Sequence, residues 1–301
     1  MSRIKALAAL IPAALALAAG VAVASSATSV TITSPKEGQS FSQKRVSNLP
    51  VYGGVTFAAA NPNTSLFYVR RDGCGTSNDN PHLSSSTGTD AGSGCGSLIN
   101  GVVGAGGDAD AGTFVDYPSA DGMPLALDAT RNITGTFDIQ GFVGPGQAGV
   151  MEADVSMEAL VDGNGVAIGS DTEMVVLDPT ASDNVINFTI TPNAALDKVD
   201  LSGIDLRLHL HGPYVFSGFV ATNGLSFVNV PSYTASVHQS VLLSLDDPTF
   251  ANPIPVAINS SGNGWSVVVP TPAVGKHTLY AESVQGFDTS AVVARHFNVT
   301  K

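Results

Sequence analysis

The sequence predicts an all-β protein, and three observations carry that reading. Only 13% of the 301 residues are charged, against roughly 25% in an average soluble domain, so Ser, Thr, Asn and Gly supply much of the solvation. A hydrophobic content of 44% is too high for wholesale disorder, and 32 Gly and 17 Pro punctuate Val-, Thr- and Ile-rich runs, the pattern of short strands joined by turns. From Ile133 onward apolar residues recur at every second position, the period of a strand with one buried face.

The first 24 residues have the order of a cleavable secretory peptide: Arg3 and Lys5, an Ala- and Leu-rich run from Ala6 to Ala19, then Ala22-Val23-Ala24 ahead of Ser25. Cleavage after Ala24 is expected. The run is interrupted by Pro12 and falls short of the ~20 residues a membrane span needs. Its removal takes Arg3 and Lys5 from 13 basic residues and nothing from 25 acidic ones, leaving a formal charge of −14. A secreted, extracellular product of that charge repels nucleic acid and anionic lipid, and no later run has the length of a span, so no membrane span remains after cleavage. In an oxidising compartment Cys74 and Cys95 are expected to pair, closing a Gly- and Ser-rich loop for roughly 3 kcal/mol of stabilisation.

The strands follow in order. Ser29 to Thr33 alternates and breaks at the turn cluster Ser34-Pro35-Lys36-Glu37-Gly38; Pro50 to Phe57 is a second strand and Leu66 to Arg71 a third. Gly73 to Gly112 has little periodicity beyond an apolar island at Leu98 to Val103 and reads as a long loop. Ile133, Phe137, Ile139 and Val143 then share one face, as do Ala153, Val155, Met157, Ala159 and Val161, with Glu152, Asp154, Ser156 and Glu158 opposite. Asp162-Gly163-Asn164-Gly165 supplies a turn, and a short strand is expected from Glu173 to Leu177. Ile186, Phe188 and Ile190 point inward in the next, and Leu206, Leu208 and Leu210 alternate with Asp205, Arg207, His209 and His211. Tyr214 to Val220 and Leu225 to Val230 bring the count to about eight, the number in a jelly-roll-like β-sandwich, here assigned to residues 61–233.

Five more candidates follow Pro231: Val237 to Leu245, Ile254 to Ile258, Trp265 to Val269, His277 to Ser283 and Val292 to Val299. Within them SLDDPTFANPIPVAINSSGNGWSVVVPTPAVGKHTLYAESVQG, with the closing Phe297-Asn298-Val299, resembles the second half of the bacterial immunoglobulin-like modules of secreted proteins. The features that carry the resemblance are the Ser-Leu-Asp strand, the strand at Gly264-Trp265-Ser266, and Gly-x-His-Thr-Leu from Gly275 to Leu279, over about 60 residues. Such a module opens with a strand, a Ser-Pro-x-x-Gly turn and a second strand. These are absent upstream of Val237 but occur at Val30 to Gly38 and Val51 to Phe57, and two strands plus five make the seven of an immunoglobulin-like β-sandwich. The resemblance therefore implies one immunoglobulin-like domain in two pieces, residues 25–60 and 234–301, with residues 61–233 inserted; a tandem pair is the simpler alternative.

Candidate sites are few. His209 and His211 leave one face of a strand, the way two metal ligands are presented, but no third ligand is apparent and a polar sheet face is the plainer reading. Asp108-Ala109-Asp110-Ala111-Gly112 opens like a calcium loop, yet its twelfth position is Ser119, so Asp108, Asp110 and Asp116 remain ligands only for an irregular calcium site. No other cofactor is implied. Arg70 and Arg71 offer a place for an anionic group, with a local salt bridge to Asp72 at least as good a reading, and Tyr68 is a candidate sugar platform in place of Trp265, which is expected to pack in its own core. Glu152 and Glu158 lie on one strand face, an ordinary solvated arrangement, and no nucleophile elbow is present. These readings favour a secreted, non-enzymatic binding, adhesion or accessory module whose partner is an extracellular glycan or cell-surface protein. The alternative is a carbohydrate-active or metal-dependent extracellular enzyme with an unrecognised site.

Overall fold

A computed structural model describes residues 28–71, 81–85, 97–101, 113–118, 125–143, 149–177, 184–211, 216–221 and 224–301. Apart from one 3₁₀ turn at Ala194–Leu196, the regular elements described are all β-strands. β1 (Ser29–Val30), β2 (Gln39–Ser42) and β3 (Asn48–Thr56) come first. There follow β4 (Pro62–Arg71), β5 (Pro81–Ser84), β6 (Ser97–Gly101), β7 (Thr113–Pro118), β8 (Leu125–Leu127) and β9 (Ile133–Val143). Next are β10 (Gly149–Val161), β11 (Asn164–Leu177), β12 (Asn184–Ile190), β13 (Asp200–Leu201), β14 (Gly203–His211), β15 (Phe216–Val220) and β16 (Phe227–Tyr233). The last six are β17 (Gln239–Leu245), β18 (Ala257–Ile258), β19 (Gly264–Pro270), β20 (Gly275–Gln285), β21 (Asp288–Thr289) and β22 (Val293–Thr300).

Strands from the two ends of the sequence share sheets. One sheet runs β1-β3-β19-β18 and the other β17-β20-β22-β2, with β2 parallel to β22 and β21 hairpinned onto β20. In chain order this is the immunoglobulin-like arrangement of four strands against three, with one added edge strand. A single apolar cluster joins the two sheets: Val51, Val55 and Trp265 from one, Leu243, Leu279 and Phe297 from the other. Each such fully buried side chain contributes about 1.5–3 kcal/mol. Trp265, 3% exposed, crosses the backbone of β3 and donates its Nε1 hydrogen to the Gly54 carbonyl at 3.1 Å. Gly53 makes room for it: a Cβ there would sit 1.8 Å from the Thr31 oxygen and 2.8 Å from the indole.

The middle strands enclose a second core. One sheet runs β11-β10-β14-β7; the other runs β13-β8-β16-β9-β15-β6, with β12 added on β9, β4 on β16 and β5 on β4. Between them lie Ala153, Val155 and Met157 of β10, Leu206, Leu208 and Leu210 of β14, and Phe137 stacked on Phe188 at 5.4 Å. The chain is thus all-β, a jelly-roll-like sandwich and an immunoglobulin-like sandwich.

Several elements differ from the sequence reading, among them the short strands β2, β7, β8, β13 and β21, which it did not expect, and three merit a reason. β11 spans 14 residues instead of the short strand expected from Glu173, because its pairing to β10 slips between Met157 and Glu158 and reverses the inward phase. Ile168 and Val175 therefore both face the core, while Met174 and Val176 are 62% and 67% exposed. Pro81–Ser84 lies within the expected loop yet pairs as β5 with β4, burying Leu83, in a run too short to show a period. Conversely, the expected strand at Ile254 to Ile258 shrinks to one bridge, Leu243 to Ile254, and the short β18, because Pro253 and Pro255 have no N–H to give a ladder.

Candidate functional site

The chain leaves the first sandwich through Phe57 to Asn61 and returns through Thr234 to His238, and the two crossings are laced together. Gln285, 2% exposed at the end of β20, accepts from the Ala58 N–H at 2.8 Å. Its Nε2 donates to the Ala58 carbonyl at 2.8 Å and to the Ser236 carbonyl at 2.7 Å. Thr234 donates its N–H to the Asn61 oxygen at 2.9 Å, and its hydroxyl to the Ala59 oxygen at 2.7 Å. On the other side Asp128 is buried beneath Thr130 and Arg131, whose guanidinium also reaches the Asn63 carbonyl. Burial pushes the Asp128 carboxyl up, but hydrogen bonds from Thr130 and Arg131 outweigh it and hold it below the usual range.

Beside these crossings the surface opens into a cleft of about 510 Å³, whose lining includes Asp162, Asp200, His238, Gln239, Val284 and Phe287. Asp162 stands in the two-residue turn between β10 and β11, with φ +49. Asp200 begins β13, where the burial of Leu201 fixes it over the crossing. Its Oδ2 accepts both the Ser236 hydroxyl at 2.7 Å and His238 Nδ1 at 3.0 Å. Phe287 occupies the turn between β20 and β21, where Gln285 pairs with Asp288 and Gly286 takes φ +59. A Cβ at Gly286 would lie 2.6 Å from Ser236 Cβ, so glycine lets this turn press against the returning segment. Phe287 is 50% exposed in a position usually polar, and it walls both the cleft and a smaller recess behind it.

Chemically, the cluster Ser236, Asp200 and His238 is a brace. A serine nucleophile needs its hydroxyl on the base, whereas here hydroxyl and imidazole converge on one carboxylate oxygen, and Ser236 Oγ also accepts the His238 N–H at 2.9 Å.

The residues singled out by sequence lie elsewhere. His209 sits opposite Asp154 of β10 and Phe114 of β7, and His211 opposite Glu152. Asp116 is opposite Arg207, and Arg207 reaches Glu158 at 3.2 Å, so this sheet carries a mixed-charge outer face. Among the described residues no group of three His, Cys, Asp or Glu is arranged to hold a metal ion. Tyr68 and Arg70 are half-buried on the face of β4 turned away from Phe67 and Val69, with Arg70 paired across to His82, and Arg71 ends the strand opposite Pro81. None of the three is among the cleft's lining residues. Cys74, Cys95, Asp108 and Asp110 lie outside the described residues. Sequence reasoning missed Asp200, His238 and Phe287, which belong to no motif; the available signal was a phenylalanine in the hairpin turn Gln285-Gly286-Phe287-Asp288.

No family model matches the chain, and no curated protein matches it. Among solved structures, that of infectious bursal disease virus Gx strain is similar to 81% of this chain at 10% identity, with a TM-score of 0.25. The chain spans about half of that protein, 46% of its length. At that score the likeness carries no argument about fold or site.

Proposed function

We propose that the protein is a secreted, non-enzymatic binding module that presents the cleft between its two sandwiches to an extracellular partner. The observation that carries this reading is the cleft itself: about 510 Å³, within the roughly 300–1,000 Å³ of small-ligand sites, with walls held in place by the lacing through Gln285 and Thr234. A pre-formed recess loses little entropy on binding. Its position supports the same reading. The middle sandwich occupies the connection between the second and third strands of the immunoglobulin-like arrangement, and the Gly286-Phe287 turn lies in the connection after β20. In immunoglobulin variable domains these two connections sit at the recognition end, an analogy of fold. Export through residues 1–24, and pairing of Cys74 with Cys95, belong to this proposal and rest on the sequence.

The test is a screen of the exported protein on arrayed glycans and extracellular proteins, repeated with Phe287→Ala and Asp200→Asn. Signals retained by the wild type should fall at least about tenfold in Phe287→Ala, in line with the ≥2 kcal/mol of an aromatic hot spot. Signals that neither variant alters would remove the cleft from the function.

A further inference from the structure

We infer that the cleft takes a non-anionic pyranose, neutral or amine-bearing, from an extracellular glycan; this rests on the cleft being the ligand seat. Two carboxylates, Asp162 and Asp200, line the recess beside the polar side chains of His238, Gln239 and Ser240. Asp200 Oδ2 is filled by Ser236 and His238. His238 Nδ1 donates to that carboxylate, and its side chain is 67% exposed to the cleft. Asp162 adds a second, exposed carboxylate from the β10–β11 turn. No Lys or Arg is among the lining residues, and the whole chain carries a formal charge of −12.

A ligand that engages the two carboxylates must bring donors. Sugar hydroxyls donate to carboxylates in charge-assisted hydrogen bonds, roughly twice as strong as neutral ones. A uronate, sialate or sulfate would instead face Asp162 and Asp200 with like charge, which disfavours it by the same electrostatics. The other wall is apolar, with Val284 and the half-exposed Phe287 ring. A pyranose has an apolar C–H face and a hydroxyl edge, so one ring can engage both walls at once. An ammonium on the ring would gain further attraction from the carboxylates and from the face of Phe287. A folded protein partner suits the recess less well, because a stable complex buries about 800 Å² on each side and this cleft admits only a segment.

The experiment uses the full secreted chain and oligosaccharides of equal length built from glucose, glucosamine and glucuronate. Calorimetry measures affinity, and amide hydrogen exchange at residues 236–240 and 284–289 locates the bound sugar. Binding of the glucose or glucosamine oligomer is expected, with slowed exchange in those segments and affinity at least about tenfold weaker in Phe287→Ala and Asp200→Asn. The glucuronate oligomer should bind at least about tenfold more weakly than either. Phe287→Ala changes an exposed turn, and its unchanged thermal midpoint serves as the folding control. Preference for glucuronate, failure to bind any of the three, or retention of an extracellular protein in place of sugar would overturn the sugar assignment. Loss of such protein or glucuronate binding in Phe287→Ala would still keep the cleft as the seat. Sugar binding untouched by both variants would remove the seat, and this inference with it.

Discussion

His277 is held between two groups that can only accept. Its Nδ1 lies 2.7 Å from Asp246 Oδ2 and its Nε2 2.7 Å from the Ala273 carbonyl, so both nitrogens carry hydrogen and the ring is an imidazolium, tilted over Phe297 at 5.5 Å. Burial lowers its pKa, but the Asp246 carboxylate and the Ala273 carbonyl outweigh burial and raise it above 6.5. A raised folded value means the stabilisation is complete below the unfolded value and is lost as pH rises through the folded one. The thermal midpoint should therefore decline as pH rises from about 6.5 through the raised folded value, and His277→Gln should flatten that decline; equal slopes in both proteins would sink the assignment. Asp128 works with the opposite sign. Its lowered carboxyl contributes above about 3.8 and loses its contribution as pH falls through the lowered value. Asp128→Ala strips the acceptor from Thr130 and Arg131 and should cost about 2 kcal/mol in urea unfolding at neutral pH. Loss below about 0.5 kcal/mol would show the brace to be ornamental.

At the scale of elements, β11 shows what a strand period can and cannot reveal. After the slip opposite Met157 and Glu158, the inward residue is Val175, at 5% exposure, between two exposed apolar neighbours. Met174→Asp should change stability by less than about 0.5 kcal/mol, while Val175→Asp should cost more than about 2 kcal/mol. Comparable effects of the two in urea unfolding would place the phase reversal elsewhere. Regular strands such as Glu152 to Val161 were legible because every second residue is apolar, and Ala153, Val155 and Met157 are buried accordingly. The run Asn164 to Leu177 was not, since a slip of one residue changes which face the same letters occupy. The cleft was less legible still. Asp162, Asp200, His238 and Phe287 are far apart in sequence and meet only because β10, β13, β17 and β20 end at one junction, a fact of tertiary packing with no local signature.

In the whole molecule the two cores have separate apolar clusters and two narrow crossings, bridged where Gln285 holds both Ala58 and Ser236. Replacing residues 59–235 with a short Gly-Ser turn should leave β1–β3 and β17–β22 folded around Trp265, because the cut ends already lie side by side. Trp265 fluorescence and amide protection in residues 48–56 check this; an unfolded product would mean that the middle sandwich is needed to assemble the outer one. The same closeness decides how the protein responds to tension. Force applied through Ser29 and Thr300 enters strands of the immunoglobulin-like sandwich, loading the β1–β3 pair and, beyond it, the parallel β2–β22 pair. The middle sandwich hangs from both crossings at a single point, so it lies outside the line of load until its host has ruptured. Only then would residues 61–233 begin to extend, which makes the middle sandwich a reserve of length held outside the line of load.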